Sequence, residues 1–362
     1  MIGMNFPSRQ RKLREQLDGR KVDALLVTHL PNVRYLCGFT GSAGVLLVSA
    51  RPMFVTDGRY AEQAAEQVVG ARISVAKGPA LPAAAEVCAK LKGKRIGIES
   101  SHVTVAELEL LRKVLGRETK IVPLSGVVEE LRAIKDEEEI QLLRNAVDLS
   151  SRLFRPLVRL LRPGIPEFAV AAKLEYMARK SGAEGMSFET IVASGERSAL
   201  PHGVASRALL PESGFVVLDY GIVLDGYCSD MTRTVHLGRA SDDMRALYNA
   251  VLEAQLSAIS AVRPGAAVAD VDGAARQELK RAKLDRYFTH STGHGVGLEI
   301  HELPGVSARS DAVLKPGMVI TIEPGAYLPG WGGVRIEDML LVTATGYEVL
   351  TPVGKQWLAV NE

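Results

Sequence analysis

At 362 residues, with 47% hydrophobic and 24% charged side chains, the chain has room for two domains and the composition of a soluble globular protein. Its 44 basic and 42 acidic residues leave a net charge of +2, which removes the electrostatic case for nucleic acid or an anionic membrane as partner. Residues 1–9, MIGMNFPSR, lack the apolar core of a signal peptide, no stretch reaches the length of a membrane span, and Cys37, Cys88 and Cys228 are scattered and odd in number, so a cytoplasmic protein without a disulfide framework is expected.

In chain order, VDALLVTH (22–29), GVLLVSA (44–50), PMFVTDG (52–58), RISVAKG (72–78) and KRIGIES (94–100) are short β-rich runs closed by turn residues. Between them, residues 59–69 and 80–93 carry helical spacing and strong helix formers. This mixed α/β region ends near IVPLSGVV (121–128), and a domain boundary near residue 130 is expected, giving domains 1–130 and 131–362. The run KDEEEIQLLRNAVDLSSRLFRPLVRLL (135–161) opens the second domain as a long amphipathic helix whose first turn is acidic, the charge that a helix N-terminus favours.

The second domain contains a faint duplication. LLRPG (160–164) precedes a helical run and then LPHG (200–203), while AVRPG (261–265) precedes another helical run and then HELPG (301–305). Pro163 and His202 are 39 positions apart, and Pro264 and His301 are 37 apart. Each half goes on to an apolar strand ending in an acid, VVLDYG with Asp219 and VITIEPG with Glu323, and then to a second acid, Asp230 or Glu337. Two such halves imply a pseudo-two-fold sheet with helices outside it.

Acids at the ends of apolar strands need a reason, because a buried carboxylate is costly unless paired. A hairpin in each half brings Asp219 near Asp230 and Glu323 near Glu337. Four acids directed at one interior repel one another unless a cation holds them. HSTGHGVGLEIHELPG (290–305) adds three of the chain's seven histidines, His290, His294 and His301, among glycines. Four carboxylates with one imidazole suit a pair of divalent ions, which can acidify a shared water and polarise a carbonyl; metal-assisted hydrolysis of an amide-like bond is the reaction class that follows.

In these contexts Asp219, Asp230, His294, Glu323 and Glu337 resemble the ligand set of the pita-bread metallopeptidases, and YLCGFTGSAG (35–44) with TDGRY (56–60) resembles the N-terminal domain of their Xaa-Pro branch, which includes aminopeptidase P and prolidase. The resemblance spans nearly the whole chain. It implies an α+β protein, a creatinase-like N-terminal domain followed by a pita-bread domain of two sheet-and-helix halves. It also implies two divalent ions, Mn2+ first with Co2+ or Zn2+ as alternatives, and peptide substrates with proline at the second position.

By the same resemblance, His202 and His301 act on substrate, His290 is a further active-site histidine, and Glu323 is both ligand and general base. Tyr327 and Arg335 orient the ligands around them. His236 is read as structural. Asn32 stands where some relatives bring an acid to the network. Residues 35–44, with Leu36 and Phe39 exposed on a lone subunit, are expected to wall the groove of a partner in a homodimer.

An Xaa-Pro aminopeptidase is the leading expectation, because FTGSAG, EPGAY and VRIED lean that way, with Xaa-Pro dipeptidase as the near alternative. A creatinase-like amidinohydrolase and a non-catalytic binding module share the fold but lack the ligand set that this chain retains.

Overall fold

The computed structural model describes residues 4–91 and 95–360, and the chain falls into two units that part between Arg132 and Ala133. Residues 92–94, which end the expected 80–93 helix and begin the expected 94–100 strand, lie outside the described residues, as do Met1–Gly3 of the N-terminal stretch.

In the first unit the apolar runs form β1 (Ala24–Val27), β2 (Val45–Val48), β3 (Met53–Asp57), β4 (Arg72–Ala76), β5 (Arg95–Glu99) and β6 (Lys120–Leu124). They assemble into one mixed sheet in the order β4-β3-β2-β1-β5-β6, antiparallel where β1 meets β2 and β2 meets β3, and parallel elsewhere. Among the described residues the helices that accompany it are α1 (Phe6–Gly19), α2 (Leu30–Cys37), α3 (Ala61–Gln67), α4 (Ala80–Ala89), α5 (Val105–Leu115) and α6 (Val127–Arg132). Ala24, Leu26, Val45 and Leu47 pack with Ala84, Ala85 and Leu111 of α4 and α5. Alternation then turns Leu25 and Val27 to the opposite face, where they are equally buried, so β1 reads as a continuous apolar run.

Leu36 and Phe39 are not exposed. Both are buried within their own unit, the Phe39 ring 4.6 Å from Phe54 and edge-on to Tyr60. Residues 30–37 form a helix with proline in its first turn, and Gly38 at φ +86° ends it and redirects the chain. Those side chains are therefore already out of water, and the apolar argument for a dimer face at residues 35–44 falls. Asn32 is buried as well. Its Nδ2 donates to Glu99 and Glu129, both at 2.7 Å, and its Oδ1 accepts from Arg132 at 2.7 Å, so its amide is engaged inside this unit.

The second unit begins with α7 (Glu137–Val158), capped by Asp136 and Glu139 in a reciprocal capping box, followed by α8 (Glu167–Lys180). Then come β7 (Gly185–Met186), β8 (Ile191–Ser194), β9 (Gly214–Tyr220), β10 (Ile222–Leu224), β11 (Tyr227–Cys228) and β12 (Met231–Leu237). The second half repeats the plan with α9 (Asp242–Ala261), α10 (Val268–Arg281), β13 (Gly293–Gly295), β14 (Glu302–Val306), β15 (Val319–Ile322), β16 (Gly325–Leu328), β17 (Gly332–Arg335), β18 (Asp338–Val342) and β19 (Tyr347–Val349), and β20 (Ala359–Val360) returns to β12. The sheets run β20-β12-β9-β8 and β14-β13-β15-β18-β19. Residues 326–333, AYLPGWGG, lie in the β16–β17 ribbon between β15 and β18.

The duplication extends to single hydrogen bonds. Gly164 N donates to Leu210 O and Gly265 N to Leu314 O, both at 2.9 Å, and Glu167 N to Ala208 O is matched by Val268 N to Ala312 O. Each helix pair covers its own sheet, with Leu157 and Leu174 over Leu218 and Val235 in one half, and Val251 and Val271 near Ile320 and Leu340 in the other. Each fully buried leucine contributes about 1.5–3 kcal/mol.

Gly164 and Gly265 sit at φ +81° and +82° with open space where a side chain would go. Gly164→Ala and Gly265→Ala are therefore each expected to destabilise by about 1–2 kcal/mol through backbone strain alone. Gly273, inside α10 and equally unobstructed, should instead stabilise by about 1 kcal/mol when changed to Ala. Denaturant midpoints of the three variants decide it; the same sign at all three would refute the account.

Candidate metal centre

The two hairpins aim their acids by strand parity. In β9, Val216, Leu218 and Tyr220 enter the helix-covered core, so Asp219 turns to the other face. In β12, Met231, Val235 and Leu237 face the same core, which leaves Asp230 and Thr232 on the face of Asp219, with Thr232 directly opposite it in the ladder. Ile320 and Ile322 of β15 and Leu340 and Val342 of β18 pack under α9 and α10, so Glu323 and Glu337 turn away from those helices too.

His294 sits in β13 between Gly293 and Gly295. A Cβ on Gly293 would lie 2.0 Å from Thr321 O, and one on Gly295 would lie 2.2 Å from Leu303 O, so these glycines let neighbouring backbone close around the histidine.

Ligating atoms of Asp230, His294 and Glu337 all lie within 4.8 Å of one another. His294 Nε2 is 3.5 Å from Asp230 Oδ2 and 3.5 Å from Glu323 Oε1. Its Nδ1 lies 3.0 Å from Gly295 O, which assigns the proton to Nδ1 and leaves the Nε2 lone pair facing the acids. Burial holds the His294 pKa down near 4, so the ring is a neutral donor.

The acids show the opposite strain. Burial first, then Glu337, Asp219 and Glu323, raise the Asp230 carboxyl well above its ordinary range. Burial, Glu323 and Asp219 do the same to Glu337, and burial followed by Asp219 lifts Glu323 to about 7 although Arg335 pulls the other way. Asp219 Oδ1 is buried with no hydrogen-bond partner among the described residues. An orphaned carboxylate oxygen among mutually repelling acids, with a neutral imidazole and no thiolate in the group, fits hard divalent ions.

Arg335 is buried and anchors one side of the cluster. It donates to Asp219 Oδ2 at 2.6 Å, to Tyr327 Oη at 2.7 Å and to Pro201 O at 3.0 Å. Tyr327 Oη lies 2.8 Å from His290 Nε2, and His290 Nδ1 lies 2.8 Å from Ser291 O. Since Tyr327 already accepts from Arg335, its own proton points to His290 Nε2, and burial, which pushes the Tyr327 pKa up to about 12, keeps that proton in place. His290 thus stands behind Tyr327, a neutral ring whose pKa burial lowers to about 4.

His202 and His301 are exposed, unlike the acids, and the His301 ring lies 4.3 Å from that of His294. Burial, then a charge on His202, lower the His301 pKa. His236 is buried elsewhere, stacked on Trp357 with its nitrogens 3.1 Å from Gly238 O and Met244 Sδ.

Two threonines escaped the sequence analysis. Thr232 donates to Glu337 Oε2 at 2.8 Å and accepts from Arg335 Nε at 3.2 Å, while Thr321 accepts from His294 N at 3.1 Å and reaches Glu323 Oε1 at 3.4 Å. Each stands two residues along a strand from an acid, hence on the same face, and that spacing was the available signal.

Residues 141–344 match the model of metallopeptidase family M24, and residues 9–134 match that of the creatinase/prolidase N-terminal domain. The chain belongs to metallopeptidase family M24 and is a hydrolase with a pita-bread catalytic unit. It is 39% identical over 350 residues to a Xaa-Pro dipeptidase of Pyrococcus horikoshii, covering 96% of this chain and 97% of that one. Among solved structures it resembles a Xaa-Pro dipeptidase from Bacillus anthracis, with 42% identity, a TM-score of 0.95 and coverage of 98% and 100%. It also resembles an X-Pro aminopeptidase from Thermotoga maritima, with 35% identity, a TM-score of 0.89 and coverage of 96% and 100%.

Thr232→Val keeps the side-chain shape but removes the hydroxyl that orients Glu337. Affinity for Mn2+, followed by calorimetric titration, should fall roughly 10–100-fold with the fold intact. Unchanged affinity would show that the hydroxyl does not tune the centre.

Proposed function

We propose that the protein is a metal-dependent Xaa-Pro dipeptidase, with two divalent ions held by Asp219, Asp230, His294, Glu323 and Glu337. The observation that carries the metal assignment is the buried Asp219 Oδ1, without a partner among the described residues, beside carboxyls that cannot all ionise without a cation. Full-length likeness to Xaa-Pro dipeptidases supports the substrate and reverses the order expected from FTGSAG, EPGAY and VRIED. The complete donor set argues against a metal-free amidinohydrolase or a binding module. Oxygen-rich donors with one nitrogen suit Mn2+ and tolerate Co2+ or Zn2+.

Divalent ions in this site supply Lewis acidity, which polarises the scissile carbonyl and acidifies water. Glu323 is the proton carrier, because its side chain is 17% exposed against 5% for Asp230 and so can meet both water and substrate. It accepts a proton from the attacking water and delivers it to the proline nitrogen as the C–N bond breaks. His202 and His301, the exposed imidazoles, hold the substrate carbonyl and terminus. Arg335, Tyr327 and His290 keep Asp219 aligned through the chain of hydrogen bonds described above. Proline brings no N–H, so the site owes it no acceptor.

A panel of Xaa-Pro dipeptides and Xaa-Pro-Yaa tripeptides, assayed with Mn2+, Co2+ and Zn2+ in turn, tests the substrate. Dipeptides should be cleaved and tripeptides spared. Preferential cleavage of the tripeptides would establish the aminopeptidase reading, which the likeness to the Thermotoga maritima structure keeps as the second candidate.

His202→Ala and His301→Ala should each retain metal and fold while losing kcat by about two orders of magnitude or more. A variant that loses metal yet turns over normally when metal is resupplied would remove the substrate role.

A further inference from the structure

Glu302 follows His301 directly, yet its side chain reaches back into the turn that joins β13 to β14. Its Oε1 accepts from Glu299 N at 3.1 Å and its Oε2 from Lys135 Nζ at 3.1 Å. A Cβ on Gly297 would lie 2.5 Å from the Glu302 carboxylate, so that glycine leaves the space the carboxylate fills. The Lys135 and Glu302 side chains are 1% and 5% exposed.

Lys135 precedes α7 and is held by its backbone, its N donating to Gly317 O at 2.9 Å. The outer side of the turn is tied to the other half of the unit, where Cys228 N donates to Gly297 O at 2.8 Å, two residues before Asp230. Burying both charges is a poor way to gain stability, since an apolar pair of similar volume commonly serves as well. What the ion pair provides is direction: a fixed cation from outside the hairpin and a backbone N–H from within it hold one carboxylate, and that carboxylate sets the turn.

We propose that the Lys135–Glu302 ion pair is a positioning device for His301, holding its imidazole against His294 at the distance at which it meets substrate. The proposal rests on the substrate role given to His301 above. Lys135 and Glu302 touch neither substrate nor metal; they act through the 296–301 turn. Breaking the pair loosens His301 while leaving the metal ligands on their strands.

The test is a cycle of Glu302→Gln, Lys135→Met and the double variant, each made also in the His301→Ala background, with metal content and thermal unfolding recorded for all. Glu302→Gln keeps the acceptor for Glu299 N, and the double variant removes both charges, so folded protein is available even if Lys135→Met alone fails to fold. With His301 present, kcat should fall roughly ten- to a hundredfold with metal content unchanged. In the His301→Ala background the same changes should cost less than about twofold, because residues acting through one group are not additive.

Equal losses in both backgrounds, or wild-type kcat in Glu302→Gln, would overturn the proposal. The cycle is run on whichever peptide the enzyme turns over, and the His301 imidazole NMR signals of Glu302→Gln are compared with wild type without substrate. A shifted His301 signal alongside inactivity on Xaa-Pro dipeptides would fault the substrate assignment and leave the positioning role standing; an unshifted signal would overturn the positioning role itself.

Discussion

Mutual repulsion among four carboxylates is the constraint around which the second unit is organised. Asp219, Asp230, Glu323 and Glu337 share one poorly hydrated space, where like charges are screened from one another far less than in water. Arg335 offsets part of that repulsion, and through Tyr327 it extends to His290. One guanidinium does not satisfy four acids, as the raised carboxyls of Asp230 and Glu337 and the empty-handed Asp219 Oδ1 indicate. The same electrostatic cost of crowding four carboxylates together favours a divalent cation among them.

Rigidity for this arrangement comes from the duplicated helix-on-sheet layers. The helices bury one face of each hairpin, and strand parity then obliges the acids to occupy the other. Packing energy resides in leucines, valines and isoleucines on the opposite face of the same strands, while hydroxyls of Thr232 and Thr321 make the fine adjustments beside the acids. The β9–β12 ladder sets Asp219 opposite Thr232, two residues from Asp230, and the β15–β18 ladder sets Ile322 opposite Asp338, next to Glu323 and Glu337, so the geometry is inherited from backbone hydrogen bonding.

Much of this was legible along the chain. An apolar run that ends in an acid, repeated in two halves at nearly equal spacing, exposed the ligand candidates because four such acids together call for a cation, where any one alone could be half of an ion pair. The first-unit strands were legible for a simpler reason, continuous β-branched and leucine-rich runs between turn residues. The exposure expected of Leu36 and Phe39 was wrong because YLCGF reads as an apolar strip, whereas the proline in the first turn of α2 and Gly38 at its end wind that strip into the core of its own unit. Thr232 and Thr321 were overlooked because a hydroxyl in a strand carries no charge to explain, although their spacing from the acids was plain.

Residue order alone determined which side chains could be ligands, that there would be two similar halves, and that the chain resembles the pita-bread metallopeptidases, since period-two alternation and turn residues are local properties. Tertiary structure decided the partnerships. Arg335 meets Asp219 across 116 positions, Lys135 meets Glu302 across 167, and Asn32 meets Arg132 across 100. Hydrogen-bond direction along Arg335, Tyr327 and His290, the neutrality of His294, and the burial of Leu36 and Phe39 depend on which surfaces come together in space. Burial and distance act through space, and they set the charge states and proton positions that residue spacing leaves open.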